Sequence, residues 1–294
     1  MTAQSGIAER GVSAAGAASG LSSIDEWRTV LSAFSHIVLV ANSDVVDIDA
    51  IQSQFPPTAL FVFFNKVYKV LDRPFHGHSL LVSRGQPRGA NIVYRDEVGE
   101  VLKFFPKDQF LGIMNIRLNT EEKLNAAADF QGAPVGHLDL TGFCSEFYTE
   151  GKTPTSGFVM AVWLSGLKLQ SPIFLAGFSA RRTEKWRVVS VHDWSFEQTF
   201  LRLFARLGKI HIHGGVSSNA YAKLAERFPE IPPGEIALAA AEVLSERLGN
   251  ADAEVDKLIS LTGVLRDFDN FLRRLKPSFL KRKPPKTGQG GAEG

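Results

Sequence analysis

The sequence predicts an alternating α/β fold, a mostly parallel sheet with helices on both faces. Two observations carry this. Short, mainly apolar runs recur at His36–Ala41, Ala59–Phe64 and Pro172–Phe178, with a shorter one inside Ser79–Arg84, as expected of strands buried on both faces. Between and after them lie stretches with helical spacing and good N-caps, and strands alternating with helices imply parallel crossovers.

Taken in order, residues 1–22 are rich in Ala, Gly and Ser and predict a disordered N-terminus. Ser22-Ser23-Ile24-Asp25-Glu26-Trp27 supplies a cap and opening turn for a short helix to about Phe34. The first strand ends at Asn42-Ser43-Asp44. A short helix over Asp49–Gln54 stops at Pro56-Pro57, and the second strand closes on Asn65-Lys66. A third strand ends at Arg84-Gly85, and Ala90–Tyr94 reads as a fourth. Thr120–Gln131 favours helix, and Gln131–Gly142, with its Gly and Pro, reads as loop. Phe158–Lys168 is a helix apolar on nearly every side, hence a packed one. After the strand at Pro172–Phe178, Phe196, Phe200, Leu203, Phe204 and Leu207 give helical spacing, with Arg202 and Arg206 on the wet face. Together these form a catalytic-sized α/β domain over residues 23–215, of Rossmann-like type. Residues 216–276 read as a helical extension, and 277–294 as a disordered basic tail.

Composition narrows the classes. The chain has 294 residues, 44% hydrophobic and 22% charged, which suits a globular protein with a real core. Its single cysteine, Cys144, excludes an intramolecular disulfide framework and a cysteine-based zinc site, and fits a reducing compartment. With no apolar run of signal-peptide or membrane-spanning length, the expectation is a cytoplasmic protein. Seven Lys/Arg fall between Arg273 and Lys286, with Phe279-Leu280 among them, and this suits the surface of an anionic inner membrane as well as it suits a solubilising tail. No module for reading nucleic acid accompanies it.

Candidate site residues gather at turns. His192, in Val191-His192-Asp193-Trp194, stands at a strand-to-helix turn where an imidazole can serve as general base or simply as a cap. Glu197 lies about a turn and a half along the following helix, placed either to orient that imidazole or as a solvated carboxylate. Pro154-Thr155-Ser156-Gly157 offers two hydroxyls, free amides and a glycine that admits close approach of a ligand; the same pattern is also a good N-cap. Asn42 and Asn65 end neighbouring strands, where ligands of open α/β sheets bind, although turn formation is the commoner role of Asn. His76-Gly77-His78 and His211-Ile212-His213 lack a third ligand at convincing spacing, so no metal is expected.

In their order these pieces resemble the animal-type sialyltransferases, over roughly residues 36–210. Pro154-Thr155-Ser156-Gly157 through Ile173-Phe174-Leu175-Ala176-Gly177-Phe178 is similar to the family's small motif. His192-Asp193-Trp194-Ser195-Phe196-Glu197 matches the His-x4-Glu of its very small motif. Val40-Ala41-Asn42-Ser43 and Phe64-Asn65 stand in for parts of the large motif. The chain lacks that motif's Gly-rich part, the family's disulfide cysteines and its additional histidine ahead of the very small motif.

The resemblance implies a sialyltransferase-like GT-A variant and an inverting transferase. It would move a 3-deoxy-ulosonic acid, Kdo or sialic acid, from its CMP-sugar donor to a glycan or glycolipid acceptor of the bacterial surface. His192 and Glu197 would be catalytic. Asn42, Ser43, Asn65, Thr155, Ser156, Gly157 and Gly177 would bind the donor. The missing histidine leaves stabilisation of the departing phosphate unassigned, with Arg181, Arg182 and Lys185 as candidates, and neither metal nor cofactor is expected. The alternatives are another CMP-sugar enzyme, a cytidylyltransferase or hydrolase, and a non-catalytic nucleotide-sugar-binding protein of polysaccharide assembly.

Overall fold

The computed structural model describes residues 14–85, 91–178, 191–213, 224, 227–246 and 248. The chain divides into two units, Met1–Ser217 and Ser218–Gly294. In the second, residues 233–246 are helical. Most of the helical extension expected over 216–276 and the basic tail lie outside the described residues, as do Arg181, Arg182 and Lys185.

Seven parallel strands form the sheet of the first unit: β1 (Ile37–Val40), β2 (Leu60–Phe64), β3 (His78–Arg84), β4 (Phe110–Arg117), β5 (Val135–Asp139), β6 (Ile173–Ala176) and β7 (His211–Ile212). Their order is β5-β4-β3-β2-β1-β6-β7, and every pairing is parallel. The chain steps outward from β1 to β5, then returns across β1 to lay down β6 and β7. That reversal makes a topological switch point between β1 and β6, beyond whose carboxyl ends ligands of such sheets bind. The arrangement is compatible with the Rossmann-like sheet expected.

Alternating strand residues serve two cores. One face of the sheet packs α1 (Ile24–Leu31), α4 (Ser156–Gly166) and α5 (Trp194–Arg206) through Trp27, Leu31, Phe158–Leu164 and Leu201. The other packs α2 (Ile48–Gln52) and α3 (Val98–Leu102) through Ile51, Val98 and Val101. The caps act as their residue types dictate. Ser23 and Glu26 close a reciprocal capping box on α1, and Asp193 accepts the Phe196 amide at the start of α5. In α4, Phe158 to Leu164 are all buried, so that helix sits between the sheet and its neighbours rather than on a wet surface.

Four expectations change. Residues 91–94 are a turn, because the Asn91 Oδ1 accepts the Val93 and Tyr94 amides at 2.9 and 3.2 Å. Over 120–131 there is only a 3-10 turn, Ala127–Phe130, since Asn119 Oδ1 captures the amides of Glu121 and Glu122. The stretch read as loop over 131–142 contains β5, and its neighbour β4 was not foreseen. Finally, residues 14–22, part of the stretch expected to be disordered, are packed on the fold. Ala14 and Ala18 are buried, and Gly16, Ala18 and Gly20 donate to the carbonyls of Phe110, Leu111 and Val135. Gly112 and Gly136 make this contact geometrically open: a Cβ at Gly112 would lie 2.9 Å from that of Ala18, and one at Gly136 would lie 2.5 Å from the Ala18 carbonyl oxygen.

Candidate functional site

α4 crosses back from β5 to β6 and so runs opposite to the strands, with its N-terminus at the carboxyl edge of the sheet. Phe178, just beyond β6, ties this end to the switch point. Its ring lies 6.3 Å from that of Phe64 at the end of β2. It also fills the space a side chain at 157 would need, 2.7 Å from a would-be Cβ there. Gly157 therefore admits a protein ring, which corrects its expected role of admitting a ligand. Gly177 (φ +75°) is likewise covered, here by the Val46 side chain.

The turn ahead of α4 is held residue by residue. Thr153 offers its carbonyl to His192 Nδ1 at 2.5 Å. Pro154 offers its carbonyl to Arg84 Nη1 at 2.8 Å. Thr155 donates both its amide and its hydroxyl to Glu197, each at 2.7 Å, and its Oγ1 accepts from the Phe158 amide. Thr155 is thus committed to the protein on every polar atom of its cap. Ser156 is half-buried and its hydroxyl has no protein partner among the described residues.

Glu197 is the largest departure from the sequence reading. It is 3% exposed, so it is no solvated carboxylate. Nor is it hydrogen-bonded to His192: its acceptors are filled by Thr155 and by the Tyr148 hydroxyl at 2.8 Å. Burial pushes its carboxyl above the ordinary range, while the hydrogen bonds from Thr155 and Tyr148 pull it back. Tyr148 in turn accepts the Asp193 amide at 3.0 Å, and Asp193 accepts from the Thr149 hydroxyl at 2.6 Å. The His192–Asp193 turn and the Thr153–Thr155 turn are in this way stitched face to face.

The imidazole itself is defined by its bond to Thr153. A carbonyl can only accept, so Nδ1 carries the proton and Nε2 is the free base of the neutral ring. Burial holds the pKa of His192 below its ordinary value, with the Arg84 charge acting in the same direction and the Thr153 bond opposing. The ring is therefore neutral at pH 7 and able to take a proton at Nε2.

At the switch point, Asn42 donates Nδ2–H to the Phe64 carbonyl at 2.7 Å, while its Oδ1 is buried without a partner. Asn65 takes a left-handed φ of 39° and accepts the Arg84 amide at 3.2 Å. Ser43 is 4% exposed. Among the described residues the Asn42 Oδ1 is thus a buried acceptor left unpaired beside the switch point.

Sequence reasoning missed Arg84, Glu122 and Tyr148. The arginine closing an apolar strand was visible, but its buried partner lies 38 residues away. Cys144 is buried, and desolvation pushes its thiol up to about 12, which fits an inert core residue. Among the described residues no group of three or more His, Cys, Asp or Glu side chains could hold a metal ion. None of the helices described is long and apolar enough to cross a membrane. No family model, curated protein or solved structure matches this chain.

Proposed function

We propose that the chain is a CMP-sugar-dependent inverting glycosyltransferase of sialyltransferase-like GT-A type, with His192 as general base. The observation that carries this reading is the fixed tautomer of His192, neutral and basic at Nε2, beside a helix N-terminus at the ligand-binding edge of a parallel sheet. His192 Nε2 takes the proton of an acceptor hydroxyl as its oxygen attacks the anomeric carbon, and CMP leaves from the opposite face with the bonding pair. The donor is CMP-Kdo or CMP-sialic acid, and the acceptor a surface glycan or glycolipid.

The free Oδ1 of Asn42 suits a hydrogen-bond donor of the nucleotide, such as the cytosine amine or a ribose hydroxyl. Ser156 and the unpaired amides of the first turn of α4 suit the donor's anionic groups. Thr155 and Glu197 build the turn rather than touch the sugar. The same reading places the protein in the cytoplasm, with a helical C-terminal extension and basic tail at the inner-membrane surface.

A thermal-shift comparison of CMP, CDP, UDP and GDP tests the donor class. CMP is expected to stabilise the chain, and a preference for UDP overturns the proposal. His192→Ala should abolish transfer while CMP binding survives; full retained transfer removes His192 from its role.

A further inference from the structure

We infer that Arg84, anchored by Glu122, is a positioning residue for His192, acting through the Pro154 carbonyl on the turn that holds the imidazole. The role rests on the proposal that His192 is the base. The geometry is one of three consecutive residues gripped by three ionisable side chains: Thr153 by His192, Pro154 by Arg84 and Thr155 by Glu197. Thr153 and Pro154 share a peptide unit, so the direction of the Thr153 carbonyl follows the placement of Pro154.

The anchor is rigid. Arg84 and Glu122 are 4% and 2% exposed. Arg84 Nε and Nη2 both donate to Glu122 Oε1, at 2.9 and 2.7 Å. Glu122 Oε2 accepts the Leu118 amide at 2.9 Å, and Oε1 also accepts from Asn119 Nδ2 at 3.2 Å. Behind them Gly85 donates its amide to the Ile116 carbonyl of β4 and accepts the Lys123 amide. The Arg84 amide, meanwhile, is held by Asn65. A single residue thus links the end of β2 to the turn in front of the base.

Stability alone does not call for this pair. Buried ion pairs are commonly replaceable by apolar residues of similar volume without loss, because desolvation offsets their attraction. What an apolar pair cannot do is donate to the Pro154 carbonyl. A guanidinium reaches Glu122 and Pro154 together because its donors form a flat fork, which a lysine ammonium lacks. Its charge beside the imidazole also favours the neutral ring, in line with the lowered pKa of His192.

The test is long-range ¹H–¹⁵N NMR of the His192 ring in the full chain, with His192→Gln to assign the signals. It needs no sugar donor. Wild type is expected to show the Nδ1–H tautomer and a titration midpoint below 6.5. The double variant Arg84→Met/Glu122→Met removes both charges together, so that neither is left buried alone. It should stay folded by circular dichroism and show mixed tautomers, while burial, the main cause of the lowered pKa, still keeps the midpoint below 6.5. Arg84→Lys, the second variant, keeps the charge but not the fork; it should mix the tautomers while leaving the midpoint low. In transfer assays with CMP-Kdo and CMP-sialic acid, either variant should lose about 100-fold in kcat with CMP affinity unchanged. A wild-type ring protonated at Nε2, or a folded variant with an unchanged tautomer, overturns the inference. Failure of CMP to bind wild type would instead remove the glycosyltransferase reading and leave the ring spectra as they are.

Discussion

Replacing Glu197 isolates the buried carboxylate that joins the two site turns. In wild type it satisfies three donors, the Tyr148 hydroxyl and the amide and hydroxyl of Thr155. Glu197→Ala strands all three. Each unsatisfied buried donor costs about 1–3 kcal/mol, and water entering the vacated space brings the values to the lower end, so the loss should be about 3 kcal/mol. Glu197→Gln keeps one carbonyl oxygen for Tyr148 and the Thr155 amide, and should cost about 1 kcal/mol. Urea unfolding followed by tryptophan fluorescence suits the measurement, since all four tryptophans lie in the first unit. The pH dependence carries a sign as well. Burial raises the Glu197 pKa above its unfolded value of 4.5, so its contribution is fully present below 4.5 and lost as pH rises through the folded pKa. The neutral Gln variant lacks this term, so its deficit relative to wild type should shrink between pH 4 and pH 7. A Glu197→Ala chain within about 1 kcal/mol of wild type at pH 7 would refute the three-donor reasoning.

Two further outcomes follow from other parts of the fold. Gly112→Ala places a Cβ against the Pro134 carbonyl and 2.9 Å from the Ala18 Cβ, at a φ of +123°. It should cost about 3 kcal/mol, whereas Gly132→Ala, at φ +80° with open space around it, should cost only about 1 kcal/mol. Equal losses by urea unfolding would mean that neither the Pro134 carbonyl nor Ala18 presses on the backbone at Gly112. For His192, burial lowers the pKa, so the neutral base persists below its ordinary value of 6.5. The acid limb of kcat/KM is expected to have its midpoint below 6.5, and any stability the neutral ring confers is present above 6.5 and lost as pH falls through the folded pKa. An acid limb centred above 6.5 contradicts this.

The local signals in the chain were read where the physics is local. Ile37–Val40 and Leu60–Phe64 are unbroken apolar runs, and buried parallel strands need little else. Thr155 and Asp193 are caps whose partners sit three residues on, so the starts of α4 and α5 could be placed from spacing alone. β4 was hidden by Gly112 and Asn115, which look like strand breakers. They belong there because Ala18 and Pro134 press against the backbone at Gly112. Asn115 spends its amide on the Ser83 carbonyl and its Oδ1 on the Asn125 amide. None of those neighbours is near in sequence.

The alternating α/β class, the two capped helices and the place of His192 at a turn were determined by sequence, since periodicity and capping act within a few residues. Tertiary structure alone decided the strand order, and with it the switch point next to Asn42. It also decided what the charged residues do. Glu197 reads as a surface carboxylate until Thr155, 42 residues away, takes both its oxygens out of water. Arg84 reads as the end of a strand until Glu122 and Pro154 close on it. Buried polar groups must find partners, and those partners are set by how the chain returns on itself rather than by spacing along it.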